Sequence, residues 1–467
     1  MRVRRTLALT AAAVTTMALA GCLGQQQESD SGRNADAKDV TLTVTANAVA
    51  GGKNELTAKW ITDWVIPEFT EQQKDKGVTV TVKYDGIGVD DADYKAKIAL
   101  DFGTDIGGDV VEVDGIWLGE FAQGGQLRPL DDVVGKDKVD AWDGWSQIPD
   151  AVQAVGEFED KRYGVPTGTD GRVIFFNKKL FAQVGLPADW QPTSWDEITA
   201  AAVSLKQLPG VIPMQLNAGT AMTEATTMQG VLPLLAGTGT EINQDGKWQG
   251  ATENMTSVLD FYQQVYGGKL GDPLLAQEAK GRDKSFELFA QNKIGMLFES
   301  DYFWRSVVDP TVGVAKMADR DTAVGWAKIP AMNPGSGVGG QDFVSMSGGS
   351  VRVINPNTKY PQQAWELLQF MNSAEATKAR LGDTAQVTQR EDVNEEVLQG
   401  DPMLNFIAEE VLPITRFRPG LADYPKVSTA LQQATADIIA GRSADEAASA
   451  YEDALIKEVG EDKVARG

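Results

Sequence analysis

The chain reads as an α/β protein with open sheets flanked by helices. Short runs alternate apolar and polar residues with the period of a strand. Between them lie longer stretches with the 3.6-residue period of a helix, and the two patterns take turns along most of the chain. At 467 residues the length suits two or three domains with real cores, and no tandem repeat is present.

Taken in order, residues 40–46 alternate Val, Leu and Val with Thr, the pattern of a half-buried strand. Residues 55–72 carry Leu56, Trp60, Ile61, Trp64, Val65 and Phe69 at helix spacing, with Pro67 forecasting a kink. Strands are expected at 78–82 and 109–113, and a helical turn at 118–124 ends on a glycine pair. Residues 163–166 read as strand and turn, and 173–176 as a fully apolar strand. A helix over 194–208 has Ser194 as its cap, with Glu197 placed to complete a capping box. Helices are expected at 255–266 and 285–292, and a strand at 294–298. Another helix at 362–371 has a thick apolar face including Trp365. Two helices at 428–439 and 444–459, parted at Gly441, close the chain.

Composition removes several chemistries. There are 66 acidic and 43 basic side chains, no His and one Cys, for a formal charge of -23. Such an acidic body is a poor partner for nucleic acid or for an anionic membrane surface. Without His there is no Ser-His-Asp triad and no His metal ligand. One Cys rules out an intrachain disulfide or a zinc ribbon. The chain has no dinucleotide fingerprint and no phosphate loop with its Lys. The glycines at 335, 337, 339 and 340 therefore read as a turn or a crossing between lobes. No cofactor or metal is expected. Carboxylate chemistry or pure binding remains.

The N-terminus reads as an export signal. Arg2, Arg4 and Arg5 precede an apolar run over 7–20, too short for a confident membrane span. Leu19-Ala20-Gly21-Cys22 resembles the lipobox of bacterial lipoproteins, which implies lipid on Cys22 and cleavage before it. Residues 1–21 are then a signal peptide. Residues 22–39, rich in Gln, Ser, Asp and Gly, are the lipidated end and a flexible tether.

Aromatic and acidic residues at strand ends are the ligand candidates. In open α/β sheets, ligands sit beyond the carboxyl ends of the strands. Asp114 and Trp117 follow one buried strand; a Trp face can cover a sugar ring while a carboxylate accepts hydroxyl hydrogens. The competing reading makes Trp117 core and Asp114 a turn former. Tyr302 and Trp304, beside Glu299 and Asp301, follow another strand, and Trp326 is a further candidate. Asp170 precedes the strand at 173, two residues from Arg172, and Arg418 lies in a loop before the last helices.

In order along the chain, four segments resemble a known family. They are Gly108-Asp109-Val110-Val111-Glu112-Val113-Asp114 with the stretch from Trp117 to Leu130; Tyr163-Gly164-Val165-Pro166 followed by Phe176-Asn177-Lys178-Lys179-Leu180-Phe181; Phe289-Ala290-Gln291-Asn292-Lys293-Ile294-Gly295-Met296; and Pro330, Gly339-Gly340 and the helix near Trp365. Across about 40–465, the chain resembles the sugar-binding lipoproteins of ATP-driven importers, the broad superfamily of maltose-binding protein. The family often ends its crossing strand with Tyr-Asn-Lys, and here Phe176 stands for the Tyr.

The resemblance implies a periplasmic-binding-protein-like fold of two lobes around a ligand cleft. Lobe one is expected at 40–169 and 328–375, lobe two at 170–327 and 376–467. It places Asp114, Trp117, Asp170, Tyr302 and Trp304 at ligand positions, with Asn47 a looser match and Asp342 in a segment adding contacts or a hinge. The expected ligand is a sugar or oligosaccharide, and the partners are membrane permease subunits and, through the anchor, the outer face of the cell membrane. The protein is expected to be monomeric and not an enzyme. The alternatives are a secreted glycoside hydrolase, which needs two carboxylates about 5–5.5 Å apart if retaining or about 6.5–9.5 Å apart if inverting, and a binding protein for a non-sugar solute.

Overall fold

The computed structural model describes residues 30–467 apart from Asp105 and Asp383. The leader, Cys22 and the first part of the tether lie outside the described residues. The principal strands are β1 (Asp39–Ala46), β2 (Thr79–Gly86), β3 (Val110–Asp114), β4 (Gly164–Pro166), β5 (Arg172–Asn177), β6 (Ile212–Gln215), β7 (Ile294–Ser300), β8 (Val324–Ala327), β9 (Phe343–Ser347), β10 (Ser350–Ile354) and β11 (Thr415–Phe417). The helices that matter here are α1 (Glu55–Trp60), α2 (Ile66–Asp75), α3 (Asp91–Phe102), α4 (Trp195–Leu205), α5 (Glu253–Gly267), α6 (Pro361–Met371), α7 (Ala374–Leu381), α8 (Tyr424–Ile439) and α9 (Ala444–Val459).

Two sheets dominate. The first has the order β2-β1-β3-β10-β4, the second β8-β5-β7-β6. Strands β1, β2 and β3 run parallel, with the helical crossovers that parallel neighbours need. The antiparallel insertion of β10 beside β3 closes that run with a late segment of the chain. Sheet membership therefore changes between residues 166 and 172, and again between 327 and 350.

Alternation along the strands decides the two faces of the first sheet. Val111 and Val113 of β3, with Val351 and Val353 of β10, pack under Tyr94, Ile98 and Phe102 of α3. Glu112 and Arg352 point to the opposite face, directly paired in register, and form an ion pair of 3.0 Å. The Arg352 guanidinium also lies 4.9 Å over the Trp60 ring. Strand β5, at the centre of the second sheet, is buried along its whole length, which explains its uninterrupted apolar reading.

Local chemistry shaped several elements differently from the expectation. The helix changes its pitch ahead of Pro67. A wide π-type turn over Ile61–Val65 comes first, and Pro67 falls near the start of α2, where its missing N–H is tolerated. Ser194 caps α4 as expected, accepting from the Glu197 amide at 3.4 Å. The Glu197 carboxylate reaches the Thr193 amide at 2.6 Å instead of that of Ser194. Residues 376–381, expected with the second lobe, belong to α7, where the Ala376 carbonyl accepts from the Trp60 indole at 3.0 Å. That places them against the first sheet's helices. Helices α8 and α9 pack on each other and on α5.

Three backbone segments run side by side between the sheets: 167–171, 347–349 and 415–421. Strand β9 lies parallel to β11, aligning Ser347 with Phe417. The Ser347 hydroxyl bonds to the Asp170 carbonyl and to the Thr415 hydroxyl, joining all three segments at one point. Close approach explains two glycines. A Cβ on Gly349 would sit 2.6 Å from the Gly168 carbonyl oxygen, and one on Gly420 3.0 Å from the Gly119 nitrogen.

Candidate functional site

A cleft of about 740 Å³ opens beside these segments. Its wall takes Asn54–Thr57 from the start of α1 and Glu112 from β3 on one side, and Arg172 and Arg305 on the other. Thr167, Thr169, Asp170 and Gly348 form part of its floor, and Arg380 and Arg418 also line it. Its size lies within the ordinary range for small-molecule sites. The described lining contains no aromatic side chain.

Charges in the cleft are mostly matched. Asp170 accepts from the Arg172 guanidinium and, at 2.7 Å, from the Gly348 amide. Arg172 continues to the Gln229 side chain at 3.1 Å and the Met346 carbonyl at 3.1 Å. This network fastens one crossing segment to the next. The buried Asp301 carboxylate accepts from Arg305 at 3.0 Å and from the Gly171 amide at 3.2 Å. Burial raises its pKa above the usual carboxylate value, and the Arg305 charge acts against that rise.

Arg418 bridges the two sides. It donates to Glu224 at 3.1 Å and approaches Asp114 within 4.0 Å. Asp114 ends β3 and accepts from the Ile116 amide at 3.1 Å, so it also caps the turn that follows. Desolvation raises its pKa, while the Arg418 charge and the Ile116 amide lower it. Glu224 accepts further bonds from the Tyr424 and Ser428 hydroxyls.

The expected site residues divide clearly. Asp170 and Arg418 line the cleft, and Asp114 lies next to Arg418. Tyr302 is exposed, with the Arg305 guanidinium 5.7 Å over its ring, but the ring is not part of the wall. Trp117 is buried against Tyr94, with ring centres 6.2 Å apart, so its faces belong to the core. Trp304 is 2% exposed, and its indole donates to both Asp401 oxygens at 3.0 and 2.9 Å. Arg320 covers its face at 3.9 Å and Trp326 abuts its edge at 5.3 Å. Neither Trp304 nor Trp326 is a platform in this cleft. Asn47 ties two loops together by bonding Val89 and Asp91, and Asp342 is exposed outside the lining. Thr169, Arg305 and Arg380 were not singled out from the sequence. Only the Asp301 to Arg305 spacing, four apart, offered a signal.

A protein-family profile described as bacterial extracellular solute-binding protein matches residues 54–378. The chain belongs to that family. Its members bind solutes for ABC transporters and are not catalysts, which sets aside the glycoside hydrolase. Among curated relatives, a binding protein of Brucella abortus (strain 2308) is 25% identical, over 77% of this chain and 82% of its own. Among solved structures, this solute-binding protein is similar to the cyclic α-maltosyl-1,6-maltose binding protein of Arthrobacter globiformis. The match has 20% identity, covers 90% of this chain and 99% of the other, and has a TM-score of 0.69. It is similar also to the sugar-binding protein MalE of Xanthomonas citri, at 16% identity, 89% and 98% coverage and a TM-score of 0.69. A Thermotoga lettingae solute-binding protein bound with α-D-tagatose matches at 22% identity, 89% and 99% coverage and a TM-score of 0.61. These likenesses establish the fold. Among the described residues, no helix is long and apolar enough to cross a membrane.

Proposed function

We propose that this protein captures a sugar or oligosaccharide outside the cell and delivers it to the permease of an ABC importer. The observation that carries this reading is the cleft itself. Its walls come from elements of both sheets, its floor is the crossing backbone, and it is lined by hydroxyls, carboxylates and guanidiniums. Such groups suit a ligand with many hydroxyls. Leu56, 75% exposed at the cleft wall, offers an apolar surface to the C–H face of a sugar ring. The solved relatives named for maltosyl-maltose and tagatose support the same class of ligand.

In this reading the body has two lobes, one around β1–β4 and β10 and the other around β5–β8. The three crossing segments are the hinge. Sugar bonded by both lobes selects the closed state, because only that state makes both sets of contacts. The closed form is the one presented to the permease. Lipid on Cys22 holds the monomer at the outer face of the cell membrane. The test is a melting screen across mono- and oligosaccharides. A ligand that binds the folded state raises the midpoint with its concentration. A chain indifferent to every saccharide, yet stabilised by amino acids or polyamines, would overturn the reading.

A further inference from the structure

Arg380 stands apart from the other charges in the cleft. Arg172 is matched by Asp170, Arg305 by Asp301 and Arg418 by Glu224. The carboxylates are matched as well: Glu112 by Arg352 at 3.0 Å and Glu55 by Lys59 at 2.6 Å. Arg380 lines the same cleft from the end of α7, and among the described residues it has neither an ion pair nor a hydrogen bond. Its guanidinium lies near the floor, with one terminal nitrogen 3.6 Å from where a Cβ on Gly168 would be. Desolvation, with the Arg352 charge adding to it, lowers its pKa to about 10, while Glu112 acts in the opposite sense. In a chain of formal charge -23, an unmatched cation in a ligand cleft stands out.

A second observation falls beside it. Thr169 is 6% exposed, lines the same cleft, and its hydroxyl has no hydrogen-bond partner. A buried hydroxyl without a partner costs the free protein stability. Arg380 and Thr169 together offer an acceptor-seeking pair: a fork of N–H donors and one O–H donor.

The geometry points to a ligand that carries an anionic group, a carboxylate or a phosphate, bound by Arg380 and Thr169 in this cleft. The inference rests on the saccharide reading above and narrows it to acidic sugars. The missing aromatic lining agrees with it, since affinity would come from charge-assisted bonds instead of ring stacking.

The test uses matched sugars: glucose, glucuronate and glucose 6-phosphate, then galactose and galacturonate, with inorganic phosphate alone as the control anion. Titration calorimetry reads affinity for the wild type, R380Q and T169V. An acidic member should bind at least about tenfold more tightly than its neutral counterpart, the scale of a hydrogen bond to a charged group. R380Q should lose that preference, binding the acidic sugar and its neutral counterpart within about threefold of each other. T169V should weaken the acidic ligand by a smaller factor and melt at or above the wild-type temperature, because it removes the orphan hydroxyl. The uronate and phosphate arms show which anion fits. Neutral sugars binding as tightly as acidic ones, or R380Q keeping the preference, would overturn this inference and leave the saccharide reading standing. If none of these sugars binds, this inference falls, and the saccharide reading is decided by its own melting screen.

Discussion

At the residue scale, Trp304 and Asp114 show how neighbours decide the use of a side chain. From sequence, Trp304 had the makings of a sugar platform. In the fold it is enclosed by Asp401, Arg320 and Trp326. Trp304→Ala should therefore cost about 3–5 kcal/mol of stability, the range for removing a buried Trp. Chemical denaturation of the variant measures it, and a stable variant with weakened sugar binding would return Trp304 to the ligand site. Asp114 yields a pH prediction. Burial raises its carboxyl pKa, so the folded state takes up a proton at a higher pH than the unfolded chain. The cost of keeping it ionised is present above the folded value and fades as pH falls toward the unfolded value, about 3.9. The wild type should thus gain stability relative to D114N between pH 7 and pH 4. Melting both proteins across that window checks the sign, and a constant gap would refute it.

At the element scale, caps and close approaches fix where segments begin and cross. Ser443 opens α9 with a complete capping box: its hydroxyl accepts from the Glu446 amide, and the Glu446 carboxylate accepts from the Ser443 amide at 3.0 Å. Ser443→Ala should cost about 0.5–2 kcal/mol, read by urea unfolding. An unchanged midpoint would show that packing of α9 on α8 and α5 alone sets its register. Much of this level was legible in the sequence. Thr and Val alternate in β1, unbroken apolar residues mark β5, and Ser194 stands as the cap of α4. The wide turn before Pro67 was not legible, because a proline's missing donor can be met by a kink or by a changed helical pitch. Tertiary packing chooses between them.

At the scale of the whole molecule, three backbone segments between the sheets meet at one place. Asp170, Ser347 and Thr415 meet there, and Asp170 also holds the Gly348 amide and Arg172. Small-angle scattering with and without a saturating sugar from the melting screen should show a smaller radius of gyration when the sugar is bound. Equal radii would remove hinge closure from the proposed function. Asp170→Asn keeps an acceptor but loses the charge beside the buried Arg172. It should lower stability by about 1–3 kcal/mol by thermal unfolding, since hydrogen bonds to charged groups are worth about that much.

The sequence alone determined the class of fold and the family, because strand and helix periods and ordered local motifs survive without knowledge of the partners they meet. It also marked Asp170 and Arg418 as residues at the places where the chain crosses or turns. Only the tertiary structure decided which polar groups line the cleft. Three of the cleft's arginines pair with carboxylates as near in sequence as Asp170 and Asp301 or as distant as Glu224, and among the described residues Arg380 has no such partner. Trp117 and Trp304 likewise went to the core once α3 and the chain near Asp401 closed over them. Burial and charge pairing depend on contacts between residues far apart in the chain, and local periodicity holds no record of them.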